Sequence, residues 1–306
     1  MVGGGSMASG FFKRKTGESI LFDVVLNVII WLLLIFTLYP MYYIFILSIS
    51  DPIEAATMKV YLWPKGFSLR SYQIIFKNPA MWRSYAYTLL YVSSGTLLML
   101  ITSVMGAYPL LEKKLFGRKI LVYYLIIPMY FSGGLIPHFL LVTKLGIYNT
   151  IWAMILPGAV SVWNIILTRT FFTSIPVTLK ESAFMDGASH FTILTKIYLP
   201  LSKPILAVIS IYTVVGIWNS WFNAMVYLPN VELQPLQMYL RRVLVEQTVD
   251  FTKLPMSDAE EAFLKQMSSL QLRYSMIIFT TLPVIFAYPF FQKYFIKGAM
   301  IGSLKE

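Results

Sequence analysis

Cysteine is absent, and histidine occurs only at His138 and His190. Without a thiol there is no disulfide framework, no thiolate zinc site and no cysteine nucleophile. Two distant histidines leave no metal cluster and no nucleophile–base pair, which argues against a membrane enzyme. Charge is scarce as well: Asp, Glu, Lys and Arg make up 13% of the chain, against ~25% in an ordinary soluble domain. The sequence also lacks the Gly-x-x-x-x-Gly-Lys-[Ser/Thr] loop that cradles nucleotide phosphates, so ATP could drive this protein only from another polypeptide. The middles of the long apolar runs carry no Asp, Glu, Lys or Arg; Asp23 stands near the start of the first and Arg169 near the inner end of the fourth. A proton- or ion-coupled carrier would place relays there.

Apolar residues fill the rest, at 57% of 306 residues with a mean hydropathy of +0.67. That exceeds what one water-soluble core needs. A run of ~20 apolar residues crosses a ~30 Å hydrocarbon layer, and six candidates occur, at about 20–47, 84–111, 120–142, 150–172, 204–228 and 275–295. The third is interrupted by Pro128, Gly133-Gly134 and Pro137. It is expected to cross as a tilted helix and continue as a short interfacial piece, its irregular backbone shielded by protein or facing water. The reading is an all-α integral membrane protein with six transmembrane helices. Residues 1–6 look like an expression scar ahead of a start at Met7, leaving 7–306 as a single transmembrane domain.

Six crossings put both termini on one side. That side holds 14 Lys/Arg and 6 Asp/Glu in short segments, and the other 11 and 8 over longer loops. The positive-inside rule therefore predicts cytoplasmic termini. The net charge of +11 then reflects orientation in the membrane and not a nucleic-acid partner. Residues 230–271 become an extracellular loop, in which Ser257 and Glu260 have the spacing of a helix-opening capping box. That loop and residues 50–83 either dock a partner protein or simply cap the bundle.

The segment 173–203 falls on the cytoplasmic side. Pro176 suits the first turn of a helix, and helical pattern runs from Val177 to Met185. Gly187 supplies a turn, and a second short helix is expected from Ala188 to Tyr198, ending at Leu199-Pro200. Two short amphipathic helices around a glycine would give a knob on the membrane face. The spacing Glu181-Ser182-Ala183, three residues, Gly187, nine residues, Ile197, one residue, Leu199-Pro200 resembles the EAA loop of membrane subunits of binding-protein-dependent ABC importers. Ser182 stands where that family prefers alanine. Weaker likenesses to carbohydrate permeases of the MalG and LplC type lie at Gly146–Thr150, in Trp218-Asn219-Ser220-Trp221 and at Lys297–Gly302.

The resemblance implies the type I ABC importer permease fold, with a coupling helix docked in a groove of an ATPase. Glu181 would contact the ATPase, Ser182 and Ala183 would permit close packing, and Asp186-Gly187 would make the turn. Implied partners are two ATPase subunits carrying ATP and Mg²⁺, a second and different permease, and an extracellular solute-binding protein. The chain itself needs no cofactor or metal. Its place would be the plasma membrane as a multi-pass subunit. Nucleotide-driven closure of the ATPase pair would draw the coupling loops together and switch the pathway. Sugars are held by aromatic faces and by amide hydrogen bonds. Trp163, Asn164, Trp218, Asn219, Trp221, Asn223 and Tyr130 offer that chemistry, although tryptophans also anchor at interfaces and asparagines also bond across helices. The alternative function is a secondary carrier or channel for a small polar solute.

Overall fold

A computed structural model of the chain describes residues 17–131, 133–245, 269–287 and 289. Residues 1–6, Ser132, the Ser257/Glu260 capping box, residues 290–295 of the sixth run and the tail from Lys297 lie outside the described residues. Among the described residues every regular element is helical. In chain order these are α1 (Gly17–Ser48), α2 (Pro52–Ala56), α3 (Arg70–Lys77), α4 (Pro79–Ala107), α5 (Arg118–Tyr130), α6 (Leu135–Lys144), α7 (Trp152–Ile155), α8 (Val162–Thr173) and α9 (Val177–Met185). Then follow α10 (His190–Ile193), a π-helical turn (Leu194–Tyr198), α11 (Leu199–Leu201), α12 (Lys203–Trp218), α13 (Trp221–Tyr227) and α14 (Leu236–Val245). The last described helix is α15 (Ser269–Ala287).

Three of these are long and apolar enough to cross a membrane: Leu21–Ser48 within α1, α4 with its 3₁₀ extension to Leu111, and α15. The count reaches five if each of two bent pairs is one span, α5 with α6 bent by 118° and His190–Leu201 with α12 bent by 77°. The second run starts at Pro79, earlier than 84. Asn78 accepts from the Ala80 N–H at 3.0 Å, and Pro79 opens the helix without a wasted donor. The stretch expected as the fourth crossing is divided. After the short α7, Pro157 and Gly158 break the helix, and the 12 residues of α8 reach only ~18 Å at 1.5 Å per residue. The fifth run is also interrupted, at Asn219-Ser220 between α12 and α13.

The bundle is organised around α4, which approaches two helices through glycine. A Cβ on Gly95 would stand 2.7 Å from Ile217 Cδ1 of α12, and one on Gly106 would stand 3.0 Å from Ile165 Cδ1 of α8. Small residues allow the backbones this close, which lipid-embedded helices need because lipid tails supply no hydrophobic drive between them. Buried polar groups are tied across the fold. Tyr91 Oη donates to Leu233 O at 2.7 Å, and the Leu236 N–H donates to Thr88 Oγ1 at 2.8 Å, fixing the start of α14 against α4. Gln271, buried on α15, donates to the carbonyls of Ser48, Ser50 and Ser68, and Ser275 meets Ser71 at 2.6 Å. This node joins α15 to the end of α1 and to α3, and a partly satisfied version would be costly in a low dielectric.

By contrast, α1 stands apart. Apart from the half-buried Asp23, its residues from Leu21 to Tyr42 are all exposed, and only its end packs, through Ile46 and Leu47. More than five turns of exposed Leu, Ile, Phe and Trp are intolerable in water and natural in lipid.

Candidate functional site

The segment between α8 and α12 is built from local rules. Ser174 Oγ donates back to Phe171 O at 2.7 Å at the end of α8. Pro176, at φ −56° and ψ 126°, then stands just before α9 as its cap residue, not inside the first turn. After Asp186 the chain reverses at Gly187, with φ +77°. The Gly187 N–H donates to Phe184 O at 3.0 Å and the Ala188 N–H to Ala183 O at 2.9 Å. This pair is a Schellman closure, and it requires a left-handed residue at Gly187. The next helix starts at His190, two residues later than Ala188, because Ser189 Oγ accepts from the Thr192 N–H at 3.2 Å and caps it. Nor does that helix end at Leu199-Pro200. The π turn at Leu194–Tyr198 widens the backbone, Pro200 falls at the start of a fresh turn, and the chain bends only after Leu201.

The expected amphipathicity of α9 is absent. Val177, Leu179, Phe184 and Met185 are exposed on different sides of the helix, and none of its residues is buried. Yet α9 is firmly held. Lys180 Nζ pairs with Glu112 Oε2 at 2.6 Å, reaching the loop that follows α4. The same ammonium sits 5.6 Å from the Phe184 ring centroid. Phe184 meets His190 edge-on at 4.9 Å across the glycine turn, and His190 faces Tyr108. Ala183 and Ala188 pack on a core of Val104, Ala107, Ile165, Phe172, Ile193 and Tyr198. Hydrogen bonding and attraction from Lys180 hold the Glu112 carboxyl below the usual carboxylate range.

The outward groups are uncommitted. Glu181, Ser182 and Asp186 are exposed, and their side chains have no hydrogen bond or ion pair among the described residues. Met185 beside them is 88% exposed. Among the residues singled out from sequence, Glu181, Ser182, Asp186 and Gly187 thus lie together on the exposed side, while Ala183 turns to the core. The Glu112–Lys180 tie and the Phe184–His190 contact escaped sequence reading, because each depends on partners brought together only by the fold.

The residues considered for a solute pathway divide. Trp218 is 4% exposed, its Nε1 donates to Thr280 O at 3.2 Å, and Tyr85 packs edge-on against it. Asn164 is buried with Nδ2 donating to Met99 Sδ at 2.9 Å. Both are sealed in the chain's own packing and offer no face to a solute. Asn219, Trp221 and Asn223 are exposed around the α12–α13 break. Gln237 Nε2 donates to Asn219 Oδ1 at 3.4 Å, and the Arg241 guanidinium lies 5.5 Å from the Trp221 ring centroid. Gln237 and Arg241 therefore join that patch from α14, an association that nothing in the sequence spacing signals. Trp163 and Tyr130 are exposed elsewhere, on α8 and at the end of α5.

The chain is 37% identical over 269 residues to Protein LplC of Bacillus subtilis, covering 88% of this chain and 90% of that protein. It is 33% identical over 291 residues to the polygalacturonan/rhamnogalacturonan transport system permease protein YtcP of the same organism, covering 93% and 98%. Among solved structures, one chain of a bacterial ABC transporter involved in the import of the acidic polysaccharide alginate superposes with a TM-score of 0.83 at 34% identity, over 92% of this chain and 98% of the other. The protein belongs to the ABC transporter permease family. No family model matches it. The permease accordingly shares the fold of an ABC importer membrane subunit, and several of its relatives are named as carbohydrate transport permeases.

Proposed function

We propose that this permease forms half of the membrane pathway of an ATP-driven oligosaccharide importer and couples that pathway to a separate ATPase through residues 173–203. The observation that carries the reading is the combination at α9: a helix clamped by Lys180–Glu112 and the Gly187 turn, with Glu181, Ser182, Met185 and Asp186 left exposed and uncommitted. Clamping lets a push on the knob reach α4 and α8 without dissipating in a flexible loop, and free polar and apolar groups provide contacts for a partner groove.

The assembly has two ATPase subunits that hold ATP and Mg²⁺, a second permease, and an extracellular solute-binding protein. The permease sits in the plasma membrane with six crossings and cytoplasmic termini, with α7, α8 and their connecting loop together making the fourth crossing. Asn219, Trp221 and Asn223, with Gln237 and Arg241, line the solute's route, supported by Trp163 and Tyr130. Aromatic face, amides and one cation suit a polyhydroxylated ring, and Arg241 favours one bearing a carboxylate. The names of two relatives, for alginate and for polygalacturonan, lend support to an acidic sugar.

Purification of the full chain from its native membrane in mild detergent tests the reading, with partners identified by mass spectrometry. Recovery of an ATPase and a second permease from the wild type, with the ATPase lost from Glu181→Lys, is expected. Intact chain recovered without any ATPase refutes the importer reading, and an ATPase retained by the variant moves the docking contact away from α9.

A further inference from the structure

A second feature lies beside the coupling segment and has no part in it. A cavity of about 300 Å³ between α5 and α8 is lined by Arg118, Lys119, Val122, Tyr123 and Arg169. Three of its five lining residues are cations and none is an acid. None of the three cations has an ion pair among the described residues. Glu112, the carboxylate nearest in sequence to Arg118, is taken by Lys180.

Two details indicate that a ligand is expected there. Arg118 is held in place, its Nε donating to Leu110 O at 3.0 Å, which leaves the rest of the guanidinium fork free. Arg169 Nε is buried without a hydrogen-bond partner. A buried N–H on a charged group is costly to leave unsatisfied, more so than on a neutral one, unless something accepts from it. Three convergent cations and one orphan donor call for an oxyanion with several acceptor oxygens.

The depth and the neighbours narrow the source. Arg169 lies four residues before the end of α8 at Thr173, and Tyr123 five residues after the start of α5 at Arg118. At 1.5 Å per residue both are only ~6–8 Å inside their helix ends. That is headgroup depth, where tyrosines also settle. Running inward from the cavity along the same side of α5, Ile127 stands one turn beyond Tyr123 and Met129 two turns beyond Val122, and both are exposed. Free phosphate would satisfy the cations and leave this apolar strip bare. A phospholipid covers both, phosphate in the cavity and acyl chains along α5.

We infer that this cavity is a binding site for the phosphate of an anionic phospholipid, held by Arg118, Lys119 and Arg169. The inference rests on the membrane placement of the permease and not on what it transports. It lies at the same end of the bundle as residues 173–203, the proposed cytoplasmic face, where anionic lipids concentrate and basic pockets between helices hold their headgroups.

The test uses the full chain delipidated in mild detergent, with melting temperature and native mass spectrometry as readouts. Phosphatidylglycerol should raise the melting temperature by several degrees and remain bound, while phosphatidylcholine at the same mole fraction should do neither. Arg169→Gln should retain at least tenfold less phosphatidylglycerol, yet be at least as stable as the wild type without lipid, because it deletes a buried unpaired N–H. A purely structural arginine would show the opposite lipid-free result. Should Arg169→Gln not fold, the exposed Lys119→Gln takes its place and should lose lipid severalfold. Equal effects of the two lipids, or undiminished phosphatidylglycerol on both variants, overturn the inference. So does a shift of the same size from inorganic phosphate alone, which makes this a free-anion site, or from galacturonate, which places it on the solute's route.

Discussion

Replacing Gly187 with alanine isolates the turn that closes α9. A Cβ there would meet nothing within 4 Å, so the substitution adds no clash with neighbouring elements. What it adds is backbone strain, because φ is +77° and an L side chain in the left-handed region costs ~1–2 kcal/mol. The strain falls on the two closing bonds, from the N–H of residue 187 to Phe184 O and from Ala188 N–H to Ala183 O. With ~1.4 kcal/mol per factor of ten, opening of the turn should become ~5–30 times more frequent. Hydrogen exchange of the full chain in detergent reads this directly. The amides of residues 187 and 188 should lose protection by that factor in Gly187→Ala, while those buried in α4 stay unchanged. Gly187→Asn should fall between, since asparagine tolerates the left-handed region. Unchanged protection in the alanine variant, or asparagine behaving worse than alanine, would refute the argument from backbone conformation.

Two further outcomes are expected. The Glu112–Lys180 pair lowers the folded carboxyl's pKa, so its stabilisation is complete above the ordinary glutamate value and is lost as pH falls through the lowered folded value. With the Glu112 side chain 42% exposed, screening keeps the effect under ~1 kcal/mol; melting scans between neutral and acid pH should show a decline that Lys180→Met flattens, and an identical slope in both proteins refutes the pairing. The two tryptophans flanking the α12–α13 break should separate by assay: Trp218→Ala should destabilise by ~3–5 kcal/mol as a buried aromatic, whereas Trp221→Ala should leave melting nearly unchanged and impair solute uptake in a reconstituted complex. Loss of stability from Trp221→Ala with uptake intact would place it in the core instead.

Several features were legible in the sequence for definite reasons. Helical membrane character followed from apolar length alone, because the bilayer imposes ~20 residues per crossing. The bounds of α9 at Val177 and Met185 and the turn at Gly187 followed from local rules, since proline, glycine and periodicity act within a few residues. The EAA spacing indicated the family that the relatives bear out. Apolar length was a poorer guide to continuity. It passed over Pro157-Gly158 and the Asn219-Ser220 break, since hydropathy averages across a residue pair that stops a helix. The proline was likewise a poor guide to where the helix after Gly187 ends: it pointed to Leu199-Pro200, whereas a π turn absorbs Pro200 and the chain bends only after Leu201.

What the sequence by itself determined, then, was the solvent the protein lives in, the local shape of residues 173–203 and its kinship, each set by composition or by residues close together in the chain. Only the tertiary structure decided which side of a chemically plausible residue meets the outside. Trp218 and Trp221 are three positions apart and alike in chemistry, yet one is sealed against Tyr85 and Thr280 while the other lies open beneath Arg241. Likewise Lys180 is bound to a loop 68 residues earlier while the adjacent Glu181 is left free. Burial and pairing are properties of elements meeting in space: the 2.6 Å pair joins α9 to the loop after α4 and the 5.5 Å contact joins α13 to α14, meetings that no local pattern encodes.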